Sequence, residues 1–203
     1  MWSDNVATEV PTAHTAATST GYDSRKLFMW TFLGSECLFF GSLIATFILY
    51  RGRSLEGPGP KDVFNIPYTS VSTFVLLMSS LTMVLALAAI QRGDMRAFRV
   101  WILATALLGC TFLGGQAFEF SDFVEKGLRP GTNLFGSTFF VLTGIHGTHV
   151  GIGVLMLLSL FGFSFTGKVK QQSSLYVELI GLYWHFVDIV WIVIFTVIYL
   201  ARV

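Results

Sequence analysis

Charge is scarce in this chain. Asp, Glu, Lys and Arg make up 12% of its 203 residues, against about 25% in an ordinary soluble domain. The net charge is +1, so there is no basic field of the kind that holds nucleic acid. There are only two cysteines, Cys37 and Cys110. They form no Cys-x-x-Cys pair and no disulfide or zinc spacing. Both fall in apolar blocks, where they read as small buried hydrophobes. Histidine is limited to His14, His146, His149 and His185. The prolines Pro11, Pro58, Pro60, Pro67 and Pro130 all avoid the interiors of the long apolar blocks. A secretory signal is also missing, because it needs basic residues ahead of a short apolar core. Here the first basic pair, Arg25-Lys26, stands at the edge of the first apolar block. No internal repeat is visible.

What is abundant is apolar surface: 53% of the residues are hydrophobic. It is gathered into five blocks, roughly 27–49, 67–91, 98–120, 134–163 and 175–201. Each is long enough to cross about 30 Å of hydrocarbon as a helix. The blocks are continuously apolar rather than alternating, which favours helices over barrel strands. The expected fold is therefore all-α, a polytopic membrane protein with one five-helix transmembrane bundle over 27–203. Residues 1–26 include a Thr/Ala-rich run and read as a mobile tail on the cytoplasmic side. Gly57-Pro58-Gly59-Pro60 and Arg129-Pro130-Gly131 mark loops, and Pro67 suits a first helical turn. The basic cluster of Arg92, Arg96 and Arg99 at the short second connection places the N-terminus inside.

Ionisable groups within spans are costly and mark functional candidates. Span one carries Glu36, a lone carboxyl. It reads either as a neutral group donating one hydrogen bond or as a group that influences proton traffic. Span three ends with Gln116 and Glu119 on one face, the latter close enough to the span's end to reach water. Span five holds Glu178 and His185, two turns apart, with Asp188 three residues on and within reach of the His185 ring. These three form one polar stripe that must face protein. Gly144, Gly147 and Gly151 in span four, and Gly34 and Gly41 in span one, are small-residue surfaces suited to close helix packing, in this chain or with a partner. Trp30, Trp101, Tyr176 and Tyr199 stand near block ends as interface anchors do. Trp184 and Trp191 lie deeper and read as packing groups.

His146 and His149 permit three readings: metal ligands, proton-linked groups, or hydrogen-bonding groups within the bundle. Their spacing of three residues is loose for metal ligation, and no third ligand is evident. Three intramembrane histidines are too few for a haem–copper centre and a second haem. Hydrogen bonding within the bundle is favoured, with Glu36 or a lipid head group as partner.

The run Phe135-Gly-Ser-Thr-Phe-Phe-Val-Leu-Thr-Gly-Ile-His-Gly-Thr-His-Val150, followed by Tyr183-Trp-His-Phe-Val-Asp-Ile-Val-Trp191, resembles subunit III of haem–copper respiratory oxidases. Gly34-Ser35-Glu36-Cys37-Leu38-Phe39-Phe40 is similar to the family segment bearing a reactive membrane carboxylate. Gln116-Ala-Phe-Glu-Phe120 matches its third-from-last helix. The resemblance runs from about Leu27 to the end and fits the shorter, five-helix bacterial form. It implies a subunit with no redox cofactor of its own. Such a subunit packs beside catalytic subunit I and subunit II, which hold haem and copper, and has phospholipid bound. Its role would be to support assembly, stability and proton uptake in the bacterial inner membrane. The N-terminus would be cytoplasmic and the C-terminus outside. Glu36, in place of Asp, inclines the reading to a cytochrome c oxidase. A quinol oxidase and a nitric oxide reductase accessory subunit are the family alternatives. An independent proton channel or transporter, or a cytochrome b-like protein, lies outside the family.

Overall fold

The computed structural model describes residues 23–50 and 65–200. Most of the expected tail, together with Pro11, His14, Pro58 and Pro60, lies outside the described residues. Five long helices follow one another: α1 (Ser24–Tyr50), α2 (Ile66–Gln91), α3 (Met95–Glu125), α4 (Leu134–Phe165) and α5 (Ser174–Phe195). A 3₁₀ turn, Gln171–Ser173, precedes α5, and a π-helical turn, Thr196–Leu200, extends it. All five are long and apolar enough to cross a membrane. Among the described residues there is no strand. Arg25 and Lys26, expected at the end of the tail, already belong to α1.

Local chemistry sets the ends. Asn65 caps α2, with Pro67 in its first turn. The Asp94 side chain accepts from Arg96 N and Ala97 N and caps α3, and Asn133 accepts from Gly136 N at 2.7 Å to cap α4. The α2–α3 turn closes on Gly93, at φ +77°. There Asp94 N reaches back to Ala89 O and Gly93 N to Ile90 O, and the left-handed residue carries no Cβ penalty. This places α2 and α3 side by side and antiparallel, joined by three residues.

In the bundle, α5 touches α1, α2 and α4, while α3 lies against α2 and α4. The apolar window of α5 is 50% buried, that of α1 only 17%. So α5 is the central helix and α1 a peripheral one. Outward faces carry Leu38, Phe28, Phe118 and Leu155, each more than 60% exposed. Such surfaces belong in lipid or against other apolar helices. Cys37 and Cys110 also lie on this outer surface, contrary to the expectation that they are buried. Each sits on the side of its helix turned away from the bundle, which apolarity of the block alone does not distinguish.

The centre is built around Trp184. A Cβ placed on Gly109 of α3 would stand 2.7 Å from its Cη2, and one on Gly153 of α4 2.7 Å from its Cε3. Its Nε1 donates to Ser79 Oγ of α2 at 3.0 Å. One indole on α5 thus joins α2, α3 and α4. Of the glycines expected to receive close neighbours, Gly147 does: Gln116 Oε1 lies 2.8 Å from its Cβ position. Gly34, Gly41, Gly144 and Gly151 have nothing within 4 Å in this chain.

Candidate functional site

The polar groups within the spans fall into separate clusters at helix seams. At the α1–α4 seam, His149 Nε2 lies 3.5 Å from Glu36 Oε2, and both side chains are largely buried. The other ring nitrogen, Nδ1, lies 2.9 Å from Ile145 O. A carbonyl only accepts, so Nδ1 carries its proton there and Nε2 is left facing the carboxyl. Nε2 faces the carboxyl across 3.5 Å, and Glu36 Oε2 is buried without a hydrogen-bond partner among the described residues. Tyr183 adds a hydrogen bond from its hydroxyl to His149 O at 3.1 Å, and Phe40 meets the His149 ring edge-on at 5.1 Å.

His146, one turn earlier on α4, goes elsewhere. It is fully buried and stacks on Trp191 at 4.9 Å, with Phe112 edge-on at 6.1 Å. Neither ring nitrogen has a hydrogen-bond partner among the described residues. The two imidazoles therefore do not converge on a common point. No group of three His, Cys, Asp or Glu side chains placed to hold a metal ion occurs among the described residues.

The stripe expected on α5 is divided between two helices. Glu178 pairs with Lys26 of α1 at 2.7 Å. Both partners are about a third exposed, so the pair contributes at most about 1 kcal/mol. His185 and Asp188 turn to α2 and meet through Ser80 rather than directly. The Ser80 hydroxyl lies 2.5 Å from Asp188 Oδ2 and 2.8 Å from His185 Nδ1. The remaining carboxylate oxygen, Oδ1, is buried without a partner among the described residues.

Glu119 is buried rather than reaching water as expected. Thr69 of α2 donates a very short hydrogen bond to it. The hydroxyl of Tyr199 also bonds to Thr69 beside the carboxyl. Tyr199, in the π-helical turn at the end of the fifth span, is only 4% exposed and packs against the bundle. Gln116 donates to Thr143 O at 2.9 Å. Trp191 Nε1 donates to Thr73 at 3.0 Å.

Sequence reasoning missed the partners on α2. Thr69, Thr73, Ser79 and Ser80 receive Glu119, Trp191, Trp184 and the His185–Asp188 pair in turn. The signal was available: hydroxyls recurring at helical spacing through an apolar span. Glu119 of α3 and Trp184, His185, Asp188 and Trp191 of α5 each meet one of these hydroxyls.

Comparison with known proteins agrees with this architecture. The model of the family "Cytochrome c oxidase subunit III" matches residues 1–202. The quinol oxidase subunit 3 of Bacillus spizizenii is 39% identical over 171 residues, covering 84% of each chain. The cytochrome c oxidase subunit 3 of Bacillus sp. (strain PS3) is 38% identical over 181 residues, 87% of this chain and 86% of the relative. The cytochrome bo(3) ubiquinol oxidase subunit 3 of Pseudomonas aeruginosa is 38% identical over 171 residues, 84% of this chain and 82% of the relative. With five apolar spans, a family match over nearly its whole length and relatives covered over more than four fifths of theirs, this multi-pass membrane chain belongs to the cytochrome c oxidase subunit III family, whose members are subunits of haem–copper terminal oxidases.

Proposed function

We propose that the chain is the non-catalytic subunit III of a bacterial cytochrome c oxidase and supports the stability and proton uptake of the catalytic subunit. The observation carrying this reading is the Glu36–His149 pair, two titratable groups 3.5 Å apart at the edge of the bundle. A carboxyl and an imidazole side by side near the boundary of a subunit can collect and hold protons for a neighbour. The other polar side chains of the spans are engaged mainly in helix–helix bonds, which suits a supporting subunit. Subunit I and subunit II, carrying haem and copper, are the proposed partners, and membrane phospholipid fills the outer surface. The N-terminus faces the cytoplasm and the C-terminus the outside of the cell membrane.

The test is the Glu36→Ala variant in the purified complex. The initial rate of oxygen reduction should persist, while the number of turnovers before inactivation falls. Loss of haem reduction from the first turnover, in a correctly assembled complex, overturns the reading. So does haem or copper that stays with this chain when the subunits are separated.

A quinol oxidase is the second reading. It is favoured by relatives named quinol and ubiquinol oxidase subunit 3 at the same level of identity as the cytochrome c oxidase relative. The companion subunit decides: one that binds copper and docks cytochrome c selects the first, a copper-less one the second.

A further inference from the structure

The Ser80–His185–Asp188 cluster leaves two atoms without a partner among the described residues: Asp188 Oδ1, which is buried within the bundle, and one nitrogen of His185. Ser80 has a single proton, and it is donated to Asp188 Oδ2 at 2.5 Å. Its oxygen therefore accepts from His185, so the ring proton is on Nδ1, at 2.8 Å. That leaves Nε2 as a bare lone pair. The ring is partly exposed, and Nε2 meets no partner among the described residues. Its surroundings on the outer face of α2 and α5 are apolar: Leu81 is 54% exposed and Ile189 59%.

The depth makes this costly. His185 lies eleven residues beyond Ser174 and Ser80 fourteen beyond Ile66, about 17 Å along the roughly 33 Å of α5 and about 21 Å along the roughly 39 Å of α2. Both are at the middle of the spans, where an unpaired polar atom facing hydrocarbon is expensive. Other polar groups on the outer surface avoid the cost. Thr111, Thr148 and Ser159 each return their proton to the carbonyl four residues earlier. An imidazole lone pair has no such route, because the free backbone N–H groups of a helix lie only at its start.

We propose that the α2–α5 face around His185 is a docking surface for a membrane-spanning helix of another subunit of the complex, one that presents a hydrogen-bond donor at mid-membrane to His185 Nε2. The donor is a hydroxyl, an indole N–H or a cationic side chain. A phospholipid does not fit, since its polar atoms stay about 15 Å away at the edge of a 30 Å core. A second copy of this chain does not fit either, because a two-fold contact sets lone pair against lone pair. This inference rests on the chain being a subunit of a larger complex.

The experiment has two arms. In native membranes, a photo-reactive benzoylphenylalanine at Ile189, one turn beyond His185, is cross-linked before purification and the captured peptide is sequenced. The expected capture is a membrane-spanning peptide of a different subunit with a donor side chain near its centre. Capture of lipid alone, of a second copy, or of a segment without a donor overturns the proposal. In the purified complex, His185→Asn keeps a polar atom near Nδ1 for Ser80 and removes Nε2. Retention of the chain through a detergent wash should fall about threefold, the effect of one interhelical hydrogen bond. Unchanged retention overturns the proposal. If His185→Asn also loosens the separated chain, the cross-link alone decides. Failure of the wild-type chain to purify with any haem-bearing subunit strikes at the functional reading, not at this one, because the cross-link identifies the neighbour of Ile189 in either case.

Discussion

Gly153→Ala is the sharpest probe of the bundle. The added methyl would stand 2.7 Å from Trp184 Cε3 and 2.8 Å from Cζ3, far inside van der Waals contact. The indole has no free direction in which to yield. Gly109 of α3 closes its far edge, where a Cβ would be only 2.7 Å from Cη2. Its Nε1 is held to Ser79 at 3.0 Å. Overpacking of a closed core costs about 1–3 kcal/mol, and a displaced indole also forfeits a net hydrogen bond of about 1 kcal/mol. We expect Gly153→Ala to destabilise the chain by about 2–3 kcal/mol. Gly151→Ala, two residues away, meets nothing within 4 Å and should stay within about 0.5 kcal/mol of wild type or gain slightly from helix propensity. The assay is SDS-driven unfolding of the separated chain in mixed micelles, followed by tryptophan fluorescence. Trp184→Phe should cost stability alone yet relieve Gly153→Ala, giving a coupling of at least about 1 kcal/mol in a double-mutant cycle. Equal stabilities for the two alanine variants, or additive effects in the cycle, would refute the placement of the indole between the glycines.

The remaining expectations use the same unfolding measurement. His146→Phe keeps the stack on Trp191 and removes two nitrogens that lack partners, so it should be neutral or mildly stabilising. His149→Phe removes the bond to Ile145 O and strands Glu36, at a cost of about 1–3 kcal/mol; the reverse order of the two variants refutes the division of roles. Thr69→Val takes the hydroxyl from Glu119 and Tyr199 and should cost about 1–3 kcal/mol. Thr148→Val, whose hydroxyl serves only Gly144 O, should change stability by less than about 0.5 kcal/mol. Equal losses for the two threonines would count against the Glu119 cluster.

The helices were legible because a membrane span announces itself by length and apolarity. Each of the five blocks became a helix, and the errors lie at the ends. The third block, taken to close at 120, continues to Glu125: Ser121 and Asp122 are polar enough to end a hydropathy window, yet Ser121 returns its hydroxyl to Ala117 O and Asp122 pairs with Lys126 one turn on, so neither breaks the helix. Which polar groups meet was less legible. Periodicity places Glu178, His185 and Asp188 near one another on α5, but a central helix shows that arc to both α1 and α2, and only the packing assigns each residue to a neighbour. The glycines illustrate the same limit. Gly144, Gly147 and Gly151 form the more regular stripe, whereas the tightest contacts fall on Gly109 and Gly153, selected by a tryptophan on another helix.

The pairing of α2 with α5 also bears on how the chain is made. Spans enter the bilayer in order of synthesis, and the partners of Thr73, Ser79 and Ser80 are Trp191, Trp184 and the His185–Asp188 pair. Those groups leave the ribosome after the other four spans. Until they arrive, the hydroxyls of α2 have only their own backbone carbonyls, and the notches at Gly109 and Gly153 stand open. The bundle therefore closes on α5, as a lock closes on its key, and a chain cut short before Trp184 would be inserted in the membrane yet remain unassembled.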